Sequence, residues 1–207
     1  MIAPPGWDGV AFSEASDGDM RSDEGARSRL SSRMAIDSRW ATSNQVHGHR
    51  VVAVEAPGPA GDADALWTSR AGLPLAVFTA DCFGVVVVAP SAVGVAHVGW
   101  RGARSGVVAA LREEMAAAGS SPTRAAIGPG IRSCCFEVGP EVAALFAGHQ
   151  AETSWGTVSV DLPAVIESQL AGLDVWDAAE CTLHGPGWFS HRSDRTPQRL
   201  ATIGWIR

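Results

Sequence analysis

The sequence predicts an α/β (α+β) layered sandwich, with mixed β-sheets covered by helices, on three observations. Val85-Val86-Val87-Val88 is apolar at every position, as a strand buried on both faces must be. Strand-like and helix-like segments intermingle without a regular βαβ repeat, which favours mixed sheets over a doubly wound one. The chain has 207 residues, of which 46% are hydrophobic. That is enough to bury a sizeable core as a single domain spanning 1–207.

Taken in order, residues 1–20 are rich in Pro, Gly and acids, with Val10-Ala11-Phe12 as a short edge strand. Ser22 to about Ile36 reads as a helix capped by Ser22 or Asp23, with Leu30 and Met34 on its buried side. A polar turn over 42–50 runs into an alternating strand, Val51–Glu55. The stretch APGPAGDAD (56–64) is a loop by composition. Strands follow at Leu75–Thr79, Val85–Ala89 and Val93–His97. Ser105 is placed to cap a helix running to Ala118, with Val107, Leu111, Met115 and Ala118 as its apolar stripe. Arg124–Gly128 reads as a strand, and a helix begins near Pro140. Trp155–Val160 reads as another strand, and Asp161 caps a helix through Leu170. A His- and Arg-rich loop and a last strand complete the chain.

Composition excludes several function classes. A net charge of −6 argues against a nucleic-acid binder. No apolar run reaches membrane-spanning length, and the N-terminus lacks the basic start and apolar core of a signal peptide. A cytoplasmic protein with neither nucleic-acid nor membrane partner is the expectation. Lysine is absent, so Schiff-base chemistry and a Walker-type phosphate loop are excluded. Any phosphate must be held by Arg, by backbone amides or by a metal. Four cysteines, too few and irregular for a disulfide scaffold and lacking the CxxC pair of a zinc knuckle, are better read as core residues, metal ligands or reactive thiols.

Three residues share a placement: His47 before a strand, Cys82 just past one and His97 at the end of another. Strand ends deliver side chains rigidly into a cleft. Two imidazoles and a thiolate make a three-ligand zinc set with an open fourth position. Taken singly, a buried Cys and hydrogen-bonded histidines explain them as well, and His49 rivals His47. Arg101 follows His97 by four residues, in a Gly-rich turn opening a helix, where amides and a guanidinium suit an anion such as phosphate. Cys134 and Cys135 are either nucleophiles or core residues, and Asp161 is either an acid-base group or simply a cap. Asp81 and Glu137 are candidates to move protons. His191, Arg192 and Arg199 form either a second anion-binding wall or a solvated loop.

Further motifs stand in order along the chain: Asn44-Gln45-Val46-His47-Gly48, Thr79-Ala80-Asp81-Cys82 and Ala96-His97-Val98-Gly99-Trp100-Arg101-Gly102. AIGPGI (126–131), FEVGPEV (136–142), Asp161-Leu162, Cys181-Thr182 and Phe189-Ser190-His191-Arg192 follow. From about residue 40 onward this set resembles the laccase-domain family of bacterial polyphenol oxidases, also described as purine nucleoside phosphorylases (YfiH-like). The resemblance implies a YfiH-like single domain with a catalytic zinc held by His47, Cys82 and His97. Arg101, Asn44, Gln45 and Arg192 are implied on the substrate and phosphate side. The implied reaction is phosphorolysis of adenosine, inosine, guanosine and S-methyl-5'-thioadenosine, with adenosine deamination as a further reaction. Copper-dependent phenol oxidation and editing of peptidoglycan precursors are the alternatives within the family. Residues 1–40 depart from the pattern: an FTTR-like strand is shortened to Phe12-Ser13-Glu14-Ala15. His191 stands where the family usually has Tyr.

Overall fold

The computed structural model describes all 207 residues. It begins with β1 (Val10–Phe12), a single 3-10 turn at Ala15–Asp17 and helix α1 (Glu24–Met34). Of the two candidate caps, Asp23 serves α1, its carboxylate accepting from the Ala26 amide at 3.0 Å. Ala26, Leu30 and Met34 form the buried side. Strands β2 (Ala41–Asn44), β3 (Val51–Ala53), β4 (Gly58–Asp62) and β5 (Ala65–Thr68) come next. Two expectations are corrected here. The polar turn over 42–50 is shorter, because β2 takes its first residues, and the loop over 56–64 contains β4. That strand is an edge, so one side of it needs no ladder donors and Pro59 is tolerated.

Strands β6 (Leu75–Thr79), β7 (Phe83–Ala89) and β8 (Ala92–Val98) are buried along almost their whole length. The helix expected from Ser105 is α3 (Val107–Ala117), and the Gly-rich turn expected before it is itself a short helix, α2 (Trp100–Ser105). They are broken at Gly106, whose φ of 76° is left-handed. Ser105 does not cap α3; its hydroxyl donates back to the Gly102 carbonyl. Ala118 is exposed, and Val108 completes the stripe of Val107, Leu111 and Met115 instead.

Beyond lie β9 (Arg124–Ile127), α4 (Pro140–Ala143), and a small hairpin of β10 (Gln150–Glu152) and β11 (Val158–Val160). The strand expected from Trp155 starts only at Val158, because Trp155 and Gly156 belong to the hairpin turn. Helix α5 (Leu162–Gln169) is capped by Asp161, which accepts from the Ala164 amide. Strand β12 (Asp174–Asp177), the short α6 (His191–Asp194) and β13 (Leu200–Gly204) end the fold.

The strands form two stacked sheets. One runs β1-β13-β6-β2-β4, the other β12-β9-β7-β8-β5-β3. Alternation along each strand divides the core into three. Val77, Val86, Val93 and Val95 lie in the layer between the sheets. Val85, Val87 and Ala96 point the other way, onto α3 and α5, joining Leu111, Met115 and Ile166. Ala76, Phe78 and Ile203 pack under Leu30 and Met34 of α1. The result is a helix-sheet-sheet-helix sandwich, and the uniformly apolar valine run of β7 serves two cores at once. No helix is long and apolar enough to cross a membrane.

Candidate metal centre

The chain passes from the five-stranded to the six-stranded sheet at three places, and each crossing contributes to one site. His47 lies in the crossing from β2 to β3, Asp64 in that from β4 to β5, and Cys82 in that from β6 to β7. His97 comes from β8, opposite Gly84. His47 and Asp81 hold left-handed φ values of 61° and 85°, as the tight crossings require. The ligand atoms of His47, Cys82 and His97 lie within 4.8 Å of one another. The two imidazoles meet edge to face, centroids 4.8 Å apart.

Asp64, absent from the sequence reading, organises the site. It is wholly buried, and its carboxylate accepts from the amides of Val46 (3.2 Å), His47 (3.0 Å) and Gly48 (2.6 Å). His97 Nδ1 stands 2.8 Å from its Oδ1. An ionised carboxylate only accepts, so Nδ1 carries the hydrogen and Nε2 is left to face Cys82. The one signal for it was an acid directly before an apolar strand, Ala65-Leu66-Trp67-Thr68.

Burial alone would push the Cys82 thiol up, but hydrogen bonding to His47 and His97 draws it down to about 6. Burial would likewise depress His97, yet Asp64 and Cys82 raise it to about 9. Asp64 lies below the ordinary carboxylate value because His97 and the amides outweigh its burial. The thiolate ligand is thus preformed, and a metal binding here displaces a proton from His97.

Gly99 closes the site from one side. A Cβ there would stand 3.1 Å from Cys82 Sγ and 3.1 Å from His47 Cδ2. No fourth His, Cys, Asp or Glu joins the group, so one position stays open. Two clefts border it. One, of about 500 Å³, is lined by His47, His49, Trp100, Arg101 and Arg104. The other, about 170 Å³, is walled by Cys82, Trp100, Ile131, Phe136, Leu162, His191 and Arg192. A cleft of about 470 Å³ beside α1 contains Arg27, Arg39 and Trp40 but neither Cys nor His.

The other predicted residues divide. Arg101 stacks on Trp100, its guanidinium carbon 4.3 Å from the ring centroid, and faces the larger cleft with Arg104 and His49. Because α2 has only six residues, the two guanidiniums, more than a helix dipole, supply the cleft's positive charge. Asn44 instead donates to Asp62 at 2.7 Å. The Gln45 amide is occupied at both ends by the Phe78 backbone. Arg192 lines the small cleft while donating to the Glu137 carbonyl and lying over Phe136. Arg199 is turned to the carbonyls of Thr196 and Gln198 and makes no wall here. Asp81 accepts from Thr182 Oγ1 and from the Arg192 amide. The Glu137 carboxylate is held by Trp155 Nε1. Asp161 is spent on its cap, and the Cys134-Cys135 pair lies against His184.

Two sheets sheathed by helices, with a three-ligand His/Cys cluster where the chain crosses between them, define a protein built around a potential metal centre. The chain belongs to the multi-copper polyphenol oxidoreductase laccase family, whose model matches residues 4–207. A purine nucleoside phosphorylase of Streptomyces griseus is 42% identical over 197 residues, covering 87% of this chain and 80% of that one. A purine nucleoside phosphorylase of Deinococcus radiodurans is 35% identical, covering 87% and 76%. Among solved structures, Bacillus licheniformis YfiH superposes with a TM-score of 0.81 at 26% identity, covering 91% of this chain and 82% of that one. YlmD of Geobacillus stearothermophilus gives 0.80 at 29%, with the same coverage.

Proposed function

We propose that this protein is a zinc-dependent purine nucleoside phosphorylase, cleaving adenosine, inosine, guanosine and S-methyl-5'-thioadenosine with phosphate, with adenosine deamination as a further reaction. One observation carries the reading: two imidazoles and a thiolate converge within 4.8 Å with no fourth protein ligand, beside a cleft bearing Arg101. The relatives' names support the reaction class. The donor set suits zinc in an open catalytic site, and Asp64 supplies the carboxylate that orients a ligating histidine. Zinc bound there would supply Lewis-acid polarisation of a substrate oxygen or water.

The chain's own residues do the rest. Arg101, preset by its stacking on Trp100, offers a two-pronged fork to phosphate. Ile131, Phe136 and Leu162 give the smaller cleft an apolar wall for a purine face. A phosphate oxygen bonds to the ribose C1' as the C1'–N bond breaks, and the purine departs with the electron pair and takes up a proton. The His191 ring has no hydrogen-bond partner within the protein and lines that cleft, which makes it the candidate donor. Asp81 positions the Arg192 backbone by accepting from its amide.

Metal analysis with phosphate-dependent release of adenine tests this directly. Purified protein should contain zinc, and Cys82→Ala should lose the metal and the activity together. Arg101→Ala should raise the KM for phosphate more than it lowers kcat. A metal-free protein whose Cys82→Ala variant kept full activity would sink the reading. The family description sets copper-dependent phenol oxidation as the rival. Oxygen uptake with a phenol that required added copper would favour it.

A further inference from the structure

Strands β9 and β12 pair in parallel, so the loops leaving their C-terminal ends run side by side. Gly130 bridges to Cys181, and the Thr182 amide donates to the Gly130 carbonyl at 3.1 Å. The first loop carries Cys134 and Cys135. The second carries Cys181 and, three residues on, His184. Their four ligand atoms all lie within 4.8 Å of one another.

The finer distances suit a cation. The Cys134 and Cys135 sulfurs are 3.6 Å apart, and His184 Nδ1 is 3.8 Å from the first and 3.1 Å from the second. Tetrahedral zinc, with bonds of ~2.3 Å to sulfur and ~2.0 Å to nitrogen, spaces its ligand atoms roughly 3.5–3.8 Å apart. All four cysteines are free. Cys135 and Cys181 are buried while His184 is exposed, yet its ring turns in to the sulfurs.

We infer that Cys134, Cys135, Cys181 and His184 form a second metal site, a closed Cys3His set for zinc or a similarly soft divalent cation. Four protein ligands leave no open position, so its role is structural. It clips together the loops that carry Ile131 and Phe136 on one side and run on to Arg192 on the other. Thr182, next to Cys181, also holds Asp81 at 2.8 Å, so the clip steadies one wall of the smaller cleft. The inference is independent of the reaction proposed above, because none of these four residues belongs to the His47, Cys82, His97 set.

Cobalt and zinc titration of the reduced, full-length Cys82→Ala protein tests it. With the first set removed, the chain should still bind a single equivalent of Co2+, with thiolate-to-cobalt charge-transfer bands and tetrahedral visible bands, and Zn2+ should displace it. In that background Cys135→Ser or His184→Ala should weaken binding by about an order of magnitude or more, with the circular dichroism of a folded chain. If Cys135→Ser fails to fold, His184→Ala at its exposed position decides. The inference fails if folded Cys82→Ala protein takes up no cobalt, or if uptake is unchanged in His184→Ala. It also fails if the native protein's mass reveals a Cys134–Cys135 disulfide.

Discussion

The Asp64 carboxylate holds three amides of the 46–48 turn and the His97 ring at once. Removing its charge loosens two ligands together. Asp64→Asn should therefore lower metal affinity about 10–100-fold, measured by competition with a chelator. Unchanged affinity would mean that the ring is oriented by something else. His47, Cys82 and His97 were legible in the sequence because strong strand formers mark the strands they flank. Asp64 was not, since its partners lie 17 and 33 residues away and the Gly- and Pro-rich residues before it mimic a loop. Gln45 misled in the opposite sense: its amide completes the backbone hydrogen bonding of Phe78, which no local pattern reveals.

At the level of elements, the break between α2 and α3 sets Arg101 and Arg104 apart from the helix that packs the core. A Cβ at Gly106 would meet nothing closer than 3.9 Å, so only its left-handed backbone resists substitution. Gly106→Ala should cost about 1 kcal/mol, read as a lower urea midpoint. The sequence suggested a turn where α2 stands because three glycines within 99–106 mimic a loop. Similarly, β4 reads as a loop because an edge strand accepts glycine and proline.

The 3-10 turn at 15–17 is tied to α1 by Asp17, whose carboxylate accepts from the Glu14 amide at 2.9 Å and pairs with Arg33. Burial opposes its ionisation, but the Glu14 amide and Arg33 hold it below the ordinary value of 3.8. A lowered folded value means that this stabilisation is complete above the unfolded value and is lost as pH falls through the folded one. Asp17→Asn should therefore flatten the drop in urea midpoint below about pH 4 while lowering it at neutral pH. An acid limb identical to wild type would exclude Asp17 as its source.

Across the whole molecule, three apolar layers are continuous through two sheets, and the layer under α3 is the largest. Leu111 is fully buried there and packs against Gly94, where a Cβ would come within 2.9 Å of it. Leu111→Ala should destabilise by about 2–5 kcal/mol, measured by denaturant unfolding. A loss under about 1 kcal/mol would indicate that the neighbouring strands collapse into the cavity. The valine run foretold a sheet covered on both faces, and that holds. Which strand belongs to which sheet was not legible, because consecutive strands such as β6 and β7 belong to different ones and only pairing partners decide the matter.

Strand β13 lies between β1 and β6, pairing antiparallel with both. The five-stranded sheet is therefore split, with β1 cut off from β6, β2 and β4, until residues 200–204 have left the ribosome. A nascent chain can hold every residue of the His47, Cys82, His97 cluster and still lack the strand that joins its first strand to the rest. The exposed edge of β6 is apolar, the kind of edge that pairs with other chains. Closure thus waits on residues 200–204, and a stalled chain that lacks them, although it carries the complete ligand set, is the form most exposed to aggregation.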